Sequence, residues 1–271
     1  LHISAPVKQK PLFIQLFQEI LPDYQLESEH MLDEGVAVLY NTISEMIEDK
    51  RYKDGELYQA LIIDCGGGTT DLSSCRFRIH NDRVAYKIDI TTAYENGNTD
   101  FGGNNLTYRV MQLLKLTLAR QLGGDDLPDP AGLIRAFDVD VFRNVDRDGV
   151  DAVYAALDSA YEQAEQILPT RFRDYEHSSR ADYYAVKNNF YFLFEIAERI
   201  KKAFYSHTHI LRMAVSSLPL KETVTECLLV DRWKLSYRQD GQIQTLKDIP
   251  TAYVNSYGMR LVAHEPFEST E

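Results

Sequence analysis

The chain has 271 residues, 44% of them hydrophobic, which is enough for one large or two ordinary globular domains with cores of their own. Its 41 acidic and 29 basic residues leave a net charge of -12, which argues against a surface that neutralises nucleic-acid phosphates or adsorbs on anionic lipid. The three cysteines, Cys65, Cys75 and Cys227, form no CxxC pair, so neither a disulfide framework nor a cysteine zinc site is expected, and a reducing, cytoplasmic setting fits.

The start, Leu1-His2-Ile3, carries neither an initiator methionine nor a signal-peptide pattern, so the chain is expected to begin within a longer protein. No apolar stretch approaches the ~20 residues needed to span a bilayer. His2 to Ala5 reads as the end of a short strand. Leu12, Leu16 and Ile20 then recur at helical spacing behind Pro11, which suits a first helical turn, and Pro22 ends the run. Val36, Leu39, Ile43 and Ile47 make a second helical stripe. The charged, turn-rich segment 49–56 is a candidate hinge. The apolar run from Leu61, the glycines 66–68 and the alternation of Cys75, Phe77 and Ile79 with Arg76 and Arg78 predict two strands joined by a tight turn. Val84, Tyr86, Ile88 and Ile90 share one face of a third strand, completing a meander. A strong helix follows on Leu106, Val110, Leu113, Leu114 and Leu118. Residues 123–187 read as a helical insertion, and 189–204 as another long helix. Strand-like segments follow at 208–215, 225–230 and 242–249, the last after the turn Asp240-Gly241.

The chemistry concentrates at Asp64-Cys65-Gly66-Gly67-Gly68-Thr69-Thr70-Asp71, where one buried strand turns back into another. Consecutive glycines let backbone N–H groups approach phosphate oxygens without obstruction, and such nests bind anions. A carboxylate at the strand end suits a metal-bound water beside a polyphosphate, and a second suits orienting or deprotonating an attacking water. No lysine follows the glycines and the next element is a strand, which excludes both the Gly-Lys-Ser/Thr nucleotide loop and the dinucleotide fingerprint.

This pattern resembles the second phosphate motif of the actin-like ATPase superfamily, in the form used by the seventy-kilodalton heat-shock chaperones. Three weaker matches follow the same order. Asp33 to Tyr40 is similar to the chaperones' Asn-Glu-Pro stretch and the helix behind it, with Gly35 where proline is usual. Gly97 to Asn104 resembles their GDxxLGGxD loop, and Glu198 to Lys202 resembles their Glu-x-x-Lys-Arg/Lys helix. The resemblance covers roughly residues 1–110 and 188–215. It implies an α/β fold: residues 1–54 as the end of a first lobe, 55–122 as the ribonuclease-H-like core of a second lobe, 123–187 as a helical insertion and 188–271 as a small α+β subdomain.

It further implies ATP and Mg²⁺ as ligands. Gly66, Gly67, Gly68, Thr69 and Thr70 would contact the β- and γ-phosphates, Asp64 would hold the Mg²⁺ hydration shell through water, and Glu34 and Asp71 would lie near the attacking water. Gly102 and Gly103 would approach the phosphate-ribose side. Glu198 and Lys201 would bond the ribose hydroxyls and Lys202 would cover the adenine, while Tyr205 stands where the family has a small hydroxyl residue. No Asp-x-Gly-Thr/Ser motif precedes the glycine loop and no GG-x-x-R motif follows Lys201. The resemblance therefore leads to a fragment, mainly the second lobe, that hydrolyses negligible ATP alone and whose lobe closure is passed to a protein partner.

Two other readings share the fold. A non-hydrolysing interaction scaffold would use the 123–187 insertion, and is favoured by Tyr205. An actin-like filament subunit is disfavoured by the chaperone-like Glu198 helix. Asn144, Asp146, Asp148 and Gly149 have half of a calcium-loop spacing, but Ala155 stands where the bidentate glutamate belongs, so an acidic turn is expected. Tyr183, Tyr184, Phe190, Tyr191, Phe192 and Phe194 sit at helical spacing and are expected mostly in a core, with a partner-binding face as the alternative. The seven histidines form no HxxxH pair, and no histidine metal site is expected.

Overall fold

The computed structural model describes residues 4–5, 9–26, 32–99, 101–130, 133, 150–206, 212–220 and 226–255. They form a mixed α/β structure with small sheets and five α-helices among the described residues. The chain divides into two compact units, with the boundary between Asn105 and Leu106.

In the first unit, β1 (Ser4–Ala5) pairs in parallel with β2 (Leu32–Asp33). Helix α1 (Lys10–Ile20) has proline in its first turn, as the sequence requires, but buries none of its residues. Its apolar stripe stays open, with Leu12, Leu16 and Ile20 all exposed. Helix α2 (Glu34–Glu48) is amphipathic and half-covers an antiparallel sheet of β3 (Tyr58–Cys65), β4 (Thr70–Asn81) and β5 (Tyr86–Asn98), in the order β3-β4-β5. Leu39 and Ile43 of α2 pack with Cys75, Phe77 and Ile79 of β4, the alternate residues the sequence assigns to one face. Each such side chain contributes about 1.5–3 kcal/mol when fully buried. A bulge between Ser74 and Cys75 shifts the β4–β5 register, so Phe77 faces Ile90 while Asp71 faces Gly97.

The third strand starts later and ends later than its sequence pattern indicates. Val84 lies outside it and is 96% exposed, whereas the strand continues to Asn98 through residues read as loop. Segment 49–56 lies inside the first unit and is tied to β4: Gly55 N–H donates to the Ile79 carbonyl (2.9 Å) and Asn81 N–H to Asp54 Oδ1 (2.8 Å).

The second unit is organised around helix α3 (Gly103–Gln121), whose first turn belongs to the first unit. Val110, Met111, Leu113, Leu114, Leu116 and Leu118 are all buried, so apolar contact surrounds the helix as expected for a core element. Against it pack α4 (Val150–Gln163) through Leu157 and Ala160, and α5 (Arg180–Ser206) through Phe192, Leu193 and Ile196. Helix α5 begins well before the start read from the sequence. Two sheets among the described residues complete the unit. In one, β6 (Arg212–Ser216) lies between β7 (Glu226–Leu229), which is parallel to it, and β10 (Ala252–Asn255), which is antiparallel. The other is a hairpin of β8 (Ser236–Gln239) and β9 (Gln242–Thr245). Strand β8 is not signalled by the sequence. The calcium-like segment 144–149 lies outside the described residues. The aromatic run divides: Phe192 is core, while Tyr184 and Tyr191 are exposed.

Three buried polar side chains, Thr107, Gln112 and Lys115, interrupt the apolar surface of α3. Gln112 donates to Asp158 Oδ1 on α4 (2.6 Å), which Arg109 also reaches at 2.7 Å. Lys115, with its side chain fully buried, pairs with Glu165, lies 3.1 Å from Thr170 Oγ1, and stands 3.8 Å from the centre of the Tyr161 ring. Burial pushes the Lys115 ammonium from 10.5 down to about 8, against the pull of Glu165. Burial by itself would raise the Glu165 carboxyl, but the Lys115 charge and hydrogen bonds from Lys115 and Thr170 hold it below its ordinary value.

Lys115→Met strands the Glu165 carboxylate and is expected to cost about 3–5 kcal/mol in urea denaturation, most of it recovered in the Lys115→Met/Glu165→Gln double variant. Between about 8 and 10.5 the unfolded chain binds more protons at Lys115 than the folded chain does, so this lysine makes stability rise with pH across that window. That contribution to the slope should vanish in Lys115→Met.

Candidate functional site

The phosphate-side residues of the sequence reading all lie in the first unit, where the β3–β4 hairpin gathers most of them. Asp64 pairs in register with Asp71, and Cys65 with Thr70. Gly66 N–H donates to the Thr69 carbonyl at 2.8 Å, which leaves Gly67 and Gly68 at the tip. The Thr70 hydroxyl lies 3.1 Å from the Phe101 carbonyl and 3.3 Å from Cys65 Sγ, and so fixes the shoulder of the turn.

The start of α3 sets the orientation of the tip. Gly103 N–H donates to the Gly66 carbonyl (2.9 Å) and Asn104 N–H to the Gly67 carbonyl (2.7 Å). In a trans peptide the carbonyl and the following N–H point in opposite directions. With both carbonyls held on the helix, the N–H groups of Gly67 and Gly68 point away from it, and neither finds a protein acceptor among the described residues. Two adjacent donors on one exposed face constitute an anion nest. The same arrangement occupies two N–H groups of the α3 start, so the donors offered at this loop come from the hairpin.

The glycines fall into two kinds. A Cβ on Gly102 would lie 2.6 Å from the Gly67 carbonyl carbon, and one on Gly97 would lie 2.8 Å from both Asp71 Oδ1 and the Thr70 carbonyl oxygen. These are packing requirements. A Cβ on Gly68 meets nothing within 4 Å, so the fold does not demand glycine there.

Asp64 is half-buried and Asp71 is 6% exposed. Residues directly opposite in an antiparallel pair share a face, and like charges so placed repel. Two carboxylates and a nest at one turn suit Mg²⁺, which keeps several waters and takes one or two carboxylates with phosphate oxygens. Among the described residues no group of three or more His, Cys, Asp or Glu forms a direct metal cage. Glu34 is the half-buried first residue of α2, a position that the helix dipole favours for an acid.

No protein-family model matches the chain, and no curated protein matches it in sequence.

The adenosine-side residues lie in the second unit and form a set of their own. Glu198 Oε2 accepts the Thr107 hydroxyl (2.5 Å) and the Lys201 ammonium (2.7 Å), while Lys202 lies 3.4 Å from Oε1. Lys201 also donates to Thr107 Oγ1 at 2.7 Å. Burial alone would raise the Glu198 carboxyl, but hydrogen bonds from Lys201 and Thr107 outweigh it and hold the group below its ordinary value. Glu198 is thus an anion at neutral pH, clamping α5 to α3. A ribose hydroxyl would have to exchange with one of these bonds. Lys202 and Tyr205 are exposed. Thr107, the bond from Asn104 N–H to the Gly67 carbonyl and the packing role of Gly97 are absent from the sequence reading. The available signal for Thr107 was a hydroxyl residue opening an otherwise leucine-rich helix.

Gly102→Ala must displace the Gly67 backbone and is expected to lower the melting temperature by several degrees, since about 1 kcal/mol shifts a domain of this size by a few degrees. Gly68→Ala is expected to leave it unchanged. Calorimetric melting of the two variants checks the distinction.

Proposed function

We propose that this chain binds the phosphates of MgATP at the β3–β4 hairpin, as part of a chaperone-like ATPase of the actin superfamily with a ribonuclease-H-like second lobe. The observation that carries this reading is the pair of N–H groups on Gly67 and Gly68, directed away from α3 and without protein acceptors among the described residues, at a tip where packing does not require Gly68 to be glycine. The antiparallel β3-β4-β5 meander leading into α3 supports the fold assignment.

In this reading the nest receives β- and γ-phosphate oxygens, with the Thr69 and Thr70 backbone continuing the grip. Bound Mg²⁺ supplies charge neutralisation for the phosphates, and Asp64 holds its hydration shell. Asp71, opposite Asp64 in register, would accept a hydrogen bond from the attacking water. Glu34, the glycines 102 and 103, and the Glu198, Lys201 and Lys202 set keep the roles that the resemblance implies. Lobe closure on the nucleotide is passed to a partner domain.

Calorimetric titration of MgATP and MgADP into the chain tests the proposal. Saturable binding is expected, weakened at least tenfold, about 1.4 kcal/mol, by Gly68→Val, a substitution for which the protein has room. Asp64→Ala is expected to weaken binding when Mg²⁺ is present and to have less effect in its absence. A folded chain that shows no saturable heat with millimolar nucleotide refutes the assignment and leaves the interaction scaffold as the better reading of this fold.

A further inference from the structure

Among the described residues, the β8–β9 hairpin has one edge in use and one open. Asp240 (φ 50°) and Gly241 (φ 78°) make a two-residue loop with both φ values positive, closing the pair Gln239 and Gln242. Hydrogen-bonded pairs alternate along an antiparallel ladder, so Tyr237 with Gln244 and Leu235 with Leu246 are the next bonded pairs. The last of these appears as Leu246 N–H donating to the Leu235 carbonyl at 2.8 Å. The residues between them, Ser236 and Arg238 on β8 and Ile243 and Thr245 on β9, turn their backbone groups outward.

On β8 these outward groups are occupied. Arg238 N–H donates to the Ile167 carbonyl (2.7 Å). The buried Asn189 side chain accepts from Ser236 N–H (2.8 Å) and donates to the Ser236 carbonyl (2.6 Å). On β9 the N–H and C=O groups of Ile243 and Thr245 have no partner among the described residues, and this strand pairs with β8 alone.

Beside this edge lies a cleft of about 500 Å³, lined by Tyr175, Ser178, Asp182, Arg238, Gln242 and Ile243. Its cation is held in place, since Arg238 donates to two neutral acceptors, the Tyr175 hydroxyl and Gln166 Oε1. The Asp182 carboxylate makes no hydrogen bond or ion pair among the described residues, and only its backbone N–H is bonded, to Ser179 Oγ at 3.1 Å.

We propose that β9 accepts an extended peptide of a partner protein as a third strand, and that a lysine or arginine side chain of that peptide enters the cleft and pairs with Asp182. A peptide residue bonded to Ile243 presents its side chain on the face of Ile243, the face that borders the cleft. The backbone bonds supply affinity and Asp182 supplies specificity. Edge-to-edge pairing with a second copy would not meet this need, because Gln242–Thr245 carries no basic residue.

Two synthetic probes test this on the full chain by calorimetry: acetyl-Thr-Val-Lys-Val-Thr-amide and the same peptide with glutamate in place of lysine. The lysine peptide is expected to bind at least tenfold more tightly, and Asp182→Asn is expected to remove that preference. Ile243→Pro deletes an outward N–H while leaving the hairpin bonds intact, and is expected to abolish binding. Peptide-induced slowing of hydrogen exchange at Ile243 and Thr245 in the unaltered chain gives the same readout without a substitution. Equal affinity for the two peptides, no binding of either at millimolar concentration, or unchanged exchange at these amides overturns the proposal. So does a dimer in sedimentation that Ile243→Pro dissociates, which would assign the edge to a second copy.

Discussion

The hydrogen bonds from Gly103 and Asn104 to the carbonyls of Gly66 and Gly67 are the constraint on which the first unit's turn depends. They decide which way two peptide planes face. Without them a glycine tip would sample many orientations, and its N–H groups would converge only rarely. Gly102 permits the contact, because any side chain there would occupy the space of the Gly67 backbone. The loop and the helix start therefore form one piece, and a substitution on either side is felt on the other. Gly97 acts similarly at the opposite shoulder, where its missing side chain makes room for the Asp71 carboxylate.

The second unit uses polar groups differently. Its core is continuous and apolar around α3, yet three ionic or amide clusters cross it, at Arg109 with Gln112 and Asp158, at Lys115 with Glu165, and at Thr107 with Glu198 and Lys201. Each ties α3 to a different partner element, respectively α4, the turn that follows α4, and α5. Hydrophobic contact is non-directional and would tolerate sliding of these helices past one another. The pairs add little net free energy, because desolvation offsets attraction where they are buried, as at Lys115, and solvent screens them where they are not, as at Asp158. Their effect is to make one register of packing the satisfied one.

Periodicity made much of this legible. The α2 stripe, the β3–β5 meander and the leucine-rich α3 follow from spacing alone, because the apolar residues of each recur at the period of its own element. The glycine loop was legible for a different reason: three consecutive glycines between aspartates serve no ordinary strand or helix. What spacing could not show was partnership across the sequence. Lys115 and Glu165 are ordinary charges in their own segments, and only packing brings them together. Strand β8 was hidden because Ser236–Gln239 has no apolar alternation, and its outer edge is completed by Asn189 and Ile167. Helix α5 began before its predicted start because the residues from Arg180 onward are polar and aromatic, so its first turns lack the aliphatic stripe of the later ones.

That helix has a mechanical consequence. Its 27 residues make an unbroken rod, about 40 Å long at 1.5 Å per residue. Asp182 stands in its first turn and Glu198 lies about 24 Å further along the axis at the same rise. A rod of that length converts rotation into displacement: pivoting by about 5° at the Glu198 clamp would carry the Asp182 end through about 2 Å, on the same 1.5 Å rise. That is comparable to the difference between a made and a broken hydrogen bond. Helix α5 thus joins the Asp182 end to the Glu198 carboxylate by one continuous backbone, so a shift at either end is carried to the other.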